Sequence, residues 1–217
     1  MRNRKNLTLH VHRIILLLKN TKALFFVPVV ITDVFIPILN FVSYRANGIG
    51  DELYNNIIQF SQIFIPFLSV WWVVFILRDF IDSDGNEMLY VNKKRSLLLD
   101  FIAVFFIYII NVIILYVFYI SFFPNMKYEL IKLLLVCIFY FGLMFFTSKL
   151  TNSVTITLFI LTFYLMANLM IYGLEGVFPL YYTVRAANRQ MLLYNSLPLG
   201  FTGVILFIIG VKIRKKL

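Results

Sequence analysis

The sequence predicts an all-α membrane protein with six transmembrane helices, an amphipathic N-terminal helix at the interface and both termini in the cytoplasm. Three observations carry that prediction. Hydrophobic residues make up 61% of the 217, against about 45–50% in soluble domains. They fall in long unbroken runs rich in Phe and Tyr, 24 and 13 of them, with a mean hydropathy of +0.88. The Lys and Arg residues collect on alternate connections between those runs. A chain this short could not hide so much apolar surface in a water-soluble core. A β-barrel would need alternating apolar and polar residues, and the runs are continuous.

The whole chain, 1–217, reads as a single transmembrane domain. Residues 1–22 come first, containing "LTLHVHRIILLLKNTK". Leu7, Val11, Ile14, Ile15 and Leu18 share one helical face and most polar residues lie elsewhere, so a basic helix lying flat in the interface is expected. The alternative is a simple extension of the first span. Spans follow at about 23–42, 57–77, 97–122, 130–150, 154–172 and 197–211, each near the ~20 residues a bilayer crossing needs. The sixth is the shortest, with Leu192 and Leu193 nearby to lengthen it.

Orientation follows from Lys and Arg placement. Fifteen lie on the side of the termini, including Arg13, Lys22, Arg78, Lys93, Lys94, Arg95, Lys149 and Lys212. Five lie opposite: Arg45, Lys127, Lys132, Arg185 and Arg189. The richer side is expected to be cytoplasmic, and the net charge of +10 is read as attraction to anionic lipid and not to nucleic acid. Loop 173–196 is then extracellular. It is apolar enough to touch the membrane and too broken to cross it, so it reads either as a re-entrant segment or as an ordinary loop.

Residues that could do chemistry inside the membrane are scarce. The two histidines, His10 and His12, precede the first span, and their spacing sets the rings about 200° apart on a helix. No zinc-protease motif, Ser/His pair or phosphate-binding G-x-x-x-x-G-K-[ST] loop occurs. The chain is expected not to be an enzyme and to carry no metal or cofactor of its own. Cys137 reads as a packing residue. Three polar residues inside spans stand out as candidate pathway or gating groups: Asp33, Asn111 and Asn168. Asp33 costs most at about 2.5–3.5 kcal/mol on insertion scales. It should face water, pair with a basic group or be protonated, and Pro28 and Pro37 should bend the helix around it. Asn111 and Asn168 read first as interhelical hydrogen-bonding groups.

One polar island interrupts the apolar sequence, "RDFIDSDGNEMLYVNKKRSLLLD", Arg78–Asp100. It holds nine of the thirty charged residues. Acids come first and bases last, which suits a helix dipole, and Asp84 and Glu87 have capping-box spacing. A short helix over Gly85–Asn92 is expected, with Met88, Leu89, Tyr90 and Val91 needing cover from membrane or partner. An EF-hand is excluded because the glycine comes too early.

Taken together, the basic N-terminal segment, six spans, loop 78–96 and the long loop before the last span resemble the ABC-2 type transporter permeases. In that family the loop after the second span often runs acid, Gly, acid or polar, Leu, then a basic residue. Asp82, Asp84, Gly85, Glu87, Leu89 and Arg95 fit, whereas Asn86 stands where Thr is frequent and "NKKR" replaces a Ser/Pro turn. The resemblance implies a membrane subunit of a bacterial ABC exporter in the plasma membrane, paired with a second permease subunit as homo- or heterodimer. ATP and Mg would be bound by a separate nucleotide-binding ATPase subunit. Loop 78–96 would hold the coupling helix, with Asp84, Gly85, Glu87, Met88, Leu89, Tyr90 and Val91 contacting that ATPase. The aromatic spans suggest an apolar or amphipathic cargo, such as a peptide. Two other readings stay open. One is a six-span substrate-binding component of an energy-coupling vitamin importer, though the Ala-x-x-x-Ala face of those proteins is missing after Ala23. The other is a non-transporting membrane anchor or immunity protein.

Overall fold

A computed structural model describes residues 14–81, 94–171, 181–183 and 187–213. Every regular element among the described residues is helical. Among the described residues five helical stretches are long and apolar enough to cross a bilayer: Lys22–Asn47, Asp51–Arg78, Leu98–Phe122, Met126–Thr151 and Arg189–Lys212. Val154–Met170 is equally apolar but has 17 residues. At 1.5 Å per residue it spans about 26 Å, short of the ~30 Å hydrocarbon core. The protein is therefore a membrane-embedded helical bundle in which the fifth apolar helix is the short one, not the last.

Helix α1 covers 14–20 and α2 runs Lys22–Asn47. The two are not one rod. Lys22 has φ 50°, a left-handed conformation that breaks a helix of L-residues, and the Thr21 hydroxyl donates to the Leu18 carbonyl at 2.6 Å. Ile14, Leu17 and Leu18 pack on the core while Ile15, Leu16 and Lys19 are exposed.

Prolines shape the spans by leaving carbonyls without a helical donor. Pro28 cannot serve the Leu24 carbonyl four residues earlier. Instead the Trp71 indole donates to it at 3.0 Å, and Trp72 donates to the Phe25 carbonyl at 2.9 Å. Trp72 also stacks on Phe25, with ring centroids 5.1 Å apart. These two tryptophans thus anchor one span to another. Before Pro37 the chain widens into a π turn, Val30–Phe35, in which the Ile36 amide donates to Ile31. The last span does the same before Pro198: Leu192–Ser196 is a π turn with the Leu197 amide on Leu192. Pro66 lies three residues before the break between α3, Asp51–Leu68, and α4, Trp71–Ile81.

That second π turn explains where the last helix begins. The apolar run alone places the span at 197–211, with Leu192 and Leu193 nearby to lengthen it. The chain instead absorbs the proline and remains helical from Arg189, so the last eight residues of the expected loop 173–196 belong to α8, Arg189–Lys212. Asn188 caps it by accepting from the Met191 amide at 2.7 Å.

The remaining helices are α5, Lys94–Phe122, α6, Met126–Thr151, and α7, Val154–Met170. Helix α6 is the hub, packed against α3, α5, α7 and α8. Its contact with α8 is the closest, because small residues let two backbones meet. A Cβ on Gly203 would sit 2.5 Å from Phe139 Cα, and one on Gly142 would collide with Gly203. By contrast α2 lies on the outside of the bundle, with Val34, Phe35, Ile38, Phe41 and Val42 exposed.

Candidate functional site

Among the described residues two groups of polar side chains stand out, and they differ in kind. The first is built around Glu129, one turn into α6. The Gln62 amide of α3 donates to Glu129 Oε1 at 2.6 Å, and the Ala187 backbone N–H donates to Oε2 at 3.1 Å. Lys132, one turn further along α6, stands 3.5 Å from Oε1 and donates to the Thr183 hydroxyl at 2.8 Å. The Thr183 backbone N–H closes the ring by donating to Gln62 Oε1 at 2.7 Å. Gln62, Glu129 and Lys132 are all fully buried.

This ring holds non-helical chain inside the bundle. Tyr181 and Ala187 are 3% and 5% exposed, so their backbone groups need protein partners in place of water. Besides the two bonds to Gln62 and Glu129, the Tyr181 amide donates to Asn168 Oδ1 at 3.0 Å. Its phenol lies 3.0 Å from the Tyr140 hydroxyl, and burial pushes the Tyr181 phenol above its ordinary pKa. Asn168 thus serves the chain after α7. Its own amide donates to the Tyr164 carbonyl at 2.8 Å.

The second group joins α2 to α5. These helices run in the same direction, and polar contacts connect them at rising positions. Thr32 and Tyr108 hydroxyls lie 3.0 Å apart, and the Asn40 amide donates to the Tyr119 hydroxyl at 3.0 Å. Between them, the Asn111 amide donates to both Asp33 carboxylate oxygens, at 2.9 and 3.0 Å. Asp33 sits within the π turn and is exposed on the outside of the bundle. The structure therefore brings together two of the three intramembrane candidates, Asp33 and Asn111, and leaves Asn168 bonded to Tyr181.

An open groove of about 640 Å³ runs from Asp33 along α2, α3 and α5. Its walls include Pro37, Ile38, Phe41, Tyr44, Leu53, Ile57, Phe118, Tyr119, Phe122 and Phe123. Among the described residues Asp33 is the one charged residue lining it, and the Oδ1 of Asn40, another lining residue, has no hydrogen-bond partner among them. That volume is within the range of sites for small organic ligands.

Among the described residues no group of three or more His, Cys, Asp or Glu side chains is placed to hold a metal. The candidate ATPase-contact residues Asp84, Gly85, Glu87, Met88, Leu89, Tyr90 and Val91 lie outside the described residues. The buried ring is what the sequence reading missed. Lys132 reads there as one more charge on the extracellular side. The available signal was E-x-x-K at the start of an apolar helix, two charges on one face that a bilayer or a core would force to pair. In comparison with known proteins, the chain matches no protein-family model, no curated sequence and no solved structure.

Proposed function

We propose that this protein is the permease subunit of an ABC-2 type exporter, moving an apolar or amphipathic cargo outward while a separate subunit hydrolyses ATP. The observation that carries the reading is the segment Asp82–Arg95, with its acid–Gly–acid–Leu order and its bases ahead of the next span. An otherwise apolar chain needs some cytoplasmic surface through which an ATPase can act, and this is its most charged connection. Met88–Val91 supplies apolar side chains for a partner's groove, flanked by charges that fix the helix ends. The topology that accompanies this reading has six crossings, with the short α7 among them, and both termini cytoplasmic. The N-terminal helix lies in the inner interface. The bundle suits such a role: α2 and its groove face outward, free to meet lipid, cargo or a second permease subunit.

ATP-driven closure of the partner would then push on the coupling helix and rock the bundle between two states. Two variants test this. Leu89→Asp and Tyr90→Ala should each lower transport-linked ATPase activity several-fold while the protein remains inserted and purifies normally. Purification in mild detergent from the native membrane should bring a nucleotide-binding chain with it. Full ATPase coupling in Leu89→Asp, or purification without any such chain, would count decisively against the assignment.

A further inference from the structure

We propose that the groove on α2, α3 and α5 binds an amphipathic organic cation, its charge at Asp33 and its apolar body along Phe41, Tyr44, Phe118 and Phe122. Identifying this ligand as the exported cargo rests on the permease reading; the binding site itself does not.

The charge pattern selects the ligand class. Asp33 lies eleven residues into the 26-residue helix Lys22–Asn47, near mid-membrane, where an uncompensated carboxylate is costly. Its hydrogen-bond partner Asn111 is neutral, and among the described residues no cation pairs with it. Asn111 uses two of the roughly four acceptor sites a carboxylate offers. The open sites adjoin the groove. A lysine or arginine from within the chain would have made Asp33 a sealed structural pair, like Glu129 with Lys132. The chain instead leaves it exposed beside apolar walls.

The walls fit the rest of such a ligand. Aromatic faces attract organic cations as well as apolar groups, and four of the named contacts are aromatic. Asn40 adds a buried carbonyl oxygen without a donor among the described residues, seven residues along from Asp33 on the same helix. Anions are disfavoured by Asp33. The nearby cation at the far end, Arg45, is occupied over the Phe41 ring, 5.7 Å from its centroid. It lies in the last turn of α2, where water screens it more than a group at Asp33's depth.

Radiolabelled tetraphenylphosphonium provides a direct probe, because tetraphenylborate has nearly the same shape and the opposite charge. Binding would be measured on the full chain in lipid nanodiscs, with empty nanodiscs subtracted and no ATPase present. Saturable tetraphenylphosphonium binding is expected, with little saturable binding of the borate. Asp33→Asn should weaken it at least about tenfold, the scale of a lost charged contact, and Asp33→Glu should keep it within a few-fold. The glutamate variant guards against mere misfolding, since it changes the side chain but keeps the charge. Absent saturable binding, equal binding of the two ions, unchanged binding in Asp33→Asn, or equal loss in Asp33→Glu would each overturn the proposal. Because the assay contains no partner, its outcome is independent of the permease reading: failure of any ATPase to co-purify from the native membrane would sink that reading and leave the site standing.

Discussion

Glu129 and Asp33 are two acids in apolar helices, and they solve the same problem in opposite ways. Glu129 is fully buried and accepts hydrogen bonds on both oxygens from Gln62 and Ala187, with Lys132 3.5 Å away. Asp33 is exposed on the outer face of the bundle, bonded to one neutral amide, and opens onto a groove. A charge compensated from within serves the fold, because its partners are fixed and removing any one strands the others. A charge left partly compensated at an accessible position has capacity to spare for something outside the chain. The contrast separates structural from functional polarity more sharply than depth in the membrane does.

The comparison breaks first at Glu129. Glu129→Leu leaves Lys132 buried without its counter-charge and two donors, Gln62 Nε2 and the Ala187 amide, without acceptors. Loss of about 3–5 kcal/mol is expected, the cost of opening a buried pair, read as a lowered unfolding midpoint in detergent. Amide exchange at Thr183 and Ala187 should accelerate in the same variant, because both N–H groups depend on this ring. Adding Lys132→Met should recover part of the loss. A double variant as unstable as Glu129→Leu would mean that packing, not charge pairing, sets the cost.

Gln62→Leu tests the neutral member of the ring. It strands one carboxylate oxygen and the Thr183 amide but no net charge. The expected cost is about 1–3 kcal/mol, that of unsatisfied buried groups, again with faster exchange at Thr183. A cost equal to that of Glu129→Leu would show that the ring acts as a single cooperative unit rather than as a charge pair with a neutral support.

Fold class was plain in the composition, since unbroken apolar runs leave few alternatives to membrane helices. Boundaries were less so, and the largest shift, at the start of the last helix, goes with a proline. A π turn ahead of Pro198 carries the helix through the polar "YNS", so it begins at Arg189. Of the site, Asp33 and Asn111 were visible as isolated polar residues in apolar runs, but nothing in the sequence says that they touch. Their separation of 78 positions is closed only by packing α2 alongside α5. The Glu129 ring was hidden for a related reason. Gln62 looks like an ordinary polar residue and Lys132 like a flanking charge until the chain around Thr183 and Ala187 folds into the bundle between them.

The smallest expected effect is at Asp33 itself. Asp33→Asn preserves the size of the side chain and one acceptor for Asn111, and it removes a charge from an apolar setting. Stability of the ligand-free protein should change by less than about 1 kcal/mol, the scale typical of single interhelical hydrogen bonds in membranes, and the change should tend toward stabilisation because a charge at mid-membrane depth has been neutralised. Unfolding midpoints of the two purified proteins in the same detergent measure this. A loss as large as that of Glu129→Leu would make Asp33 a structural acid like Glu129 and erase the distinction between the two. A stabilising result would mean that the carboxylate is kept at a cost to the empty protein, which is what selection for a cationic ligand would leave behind.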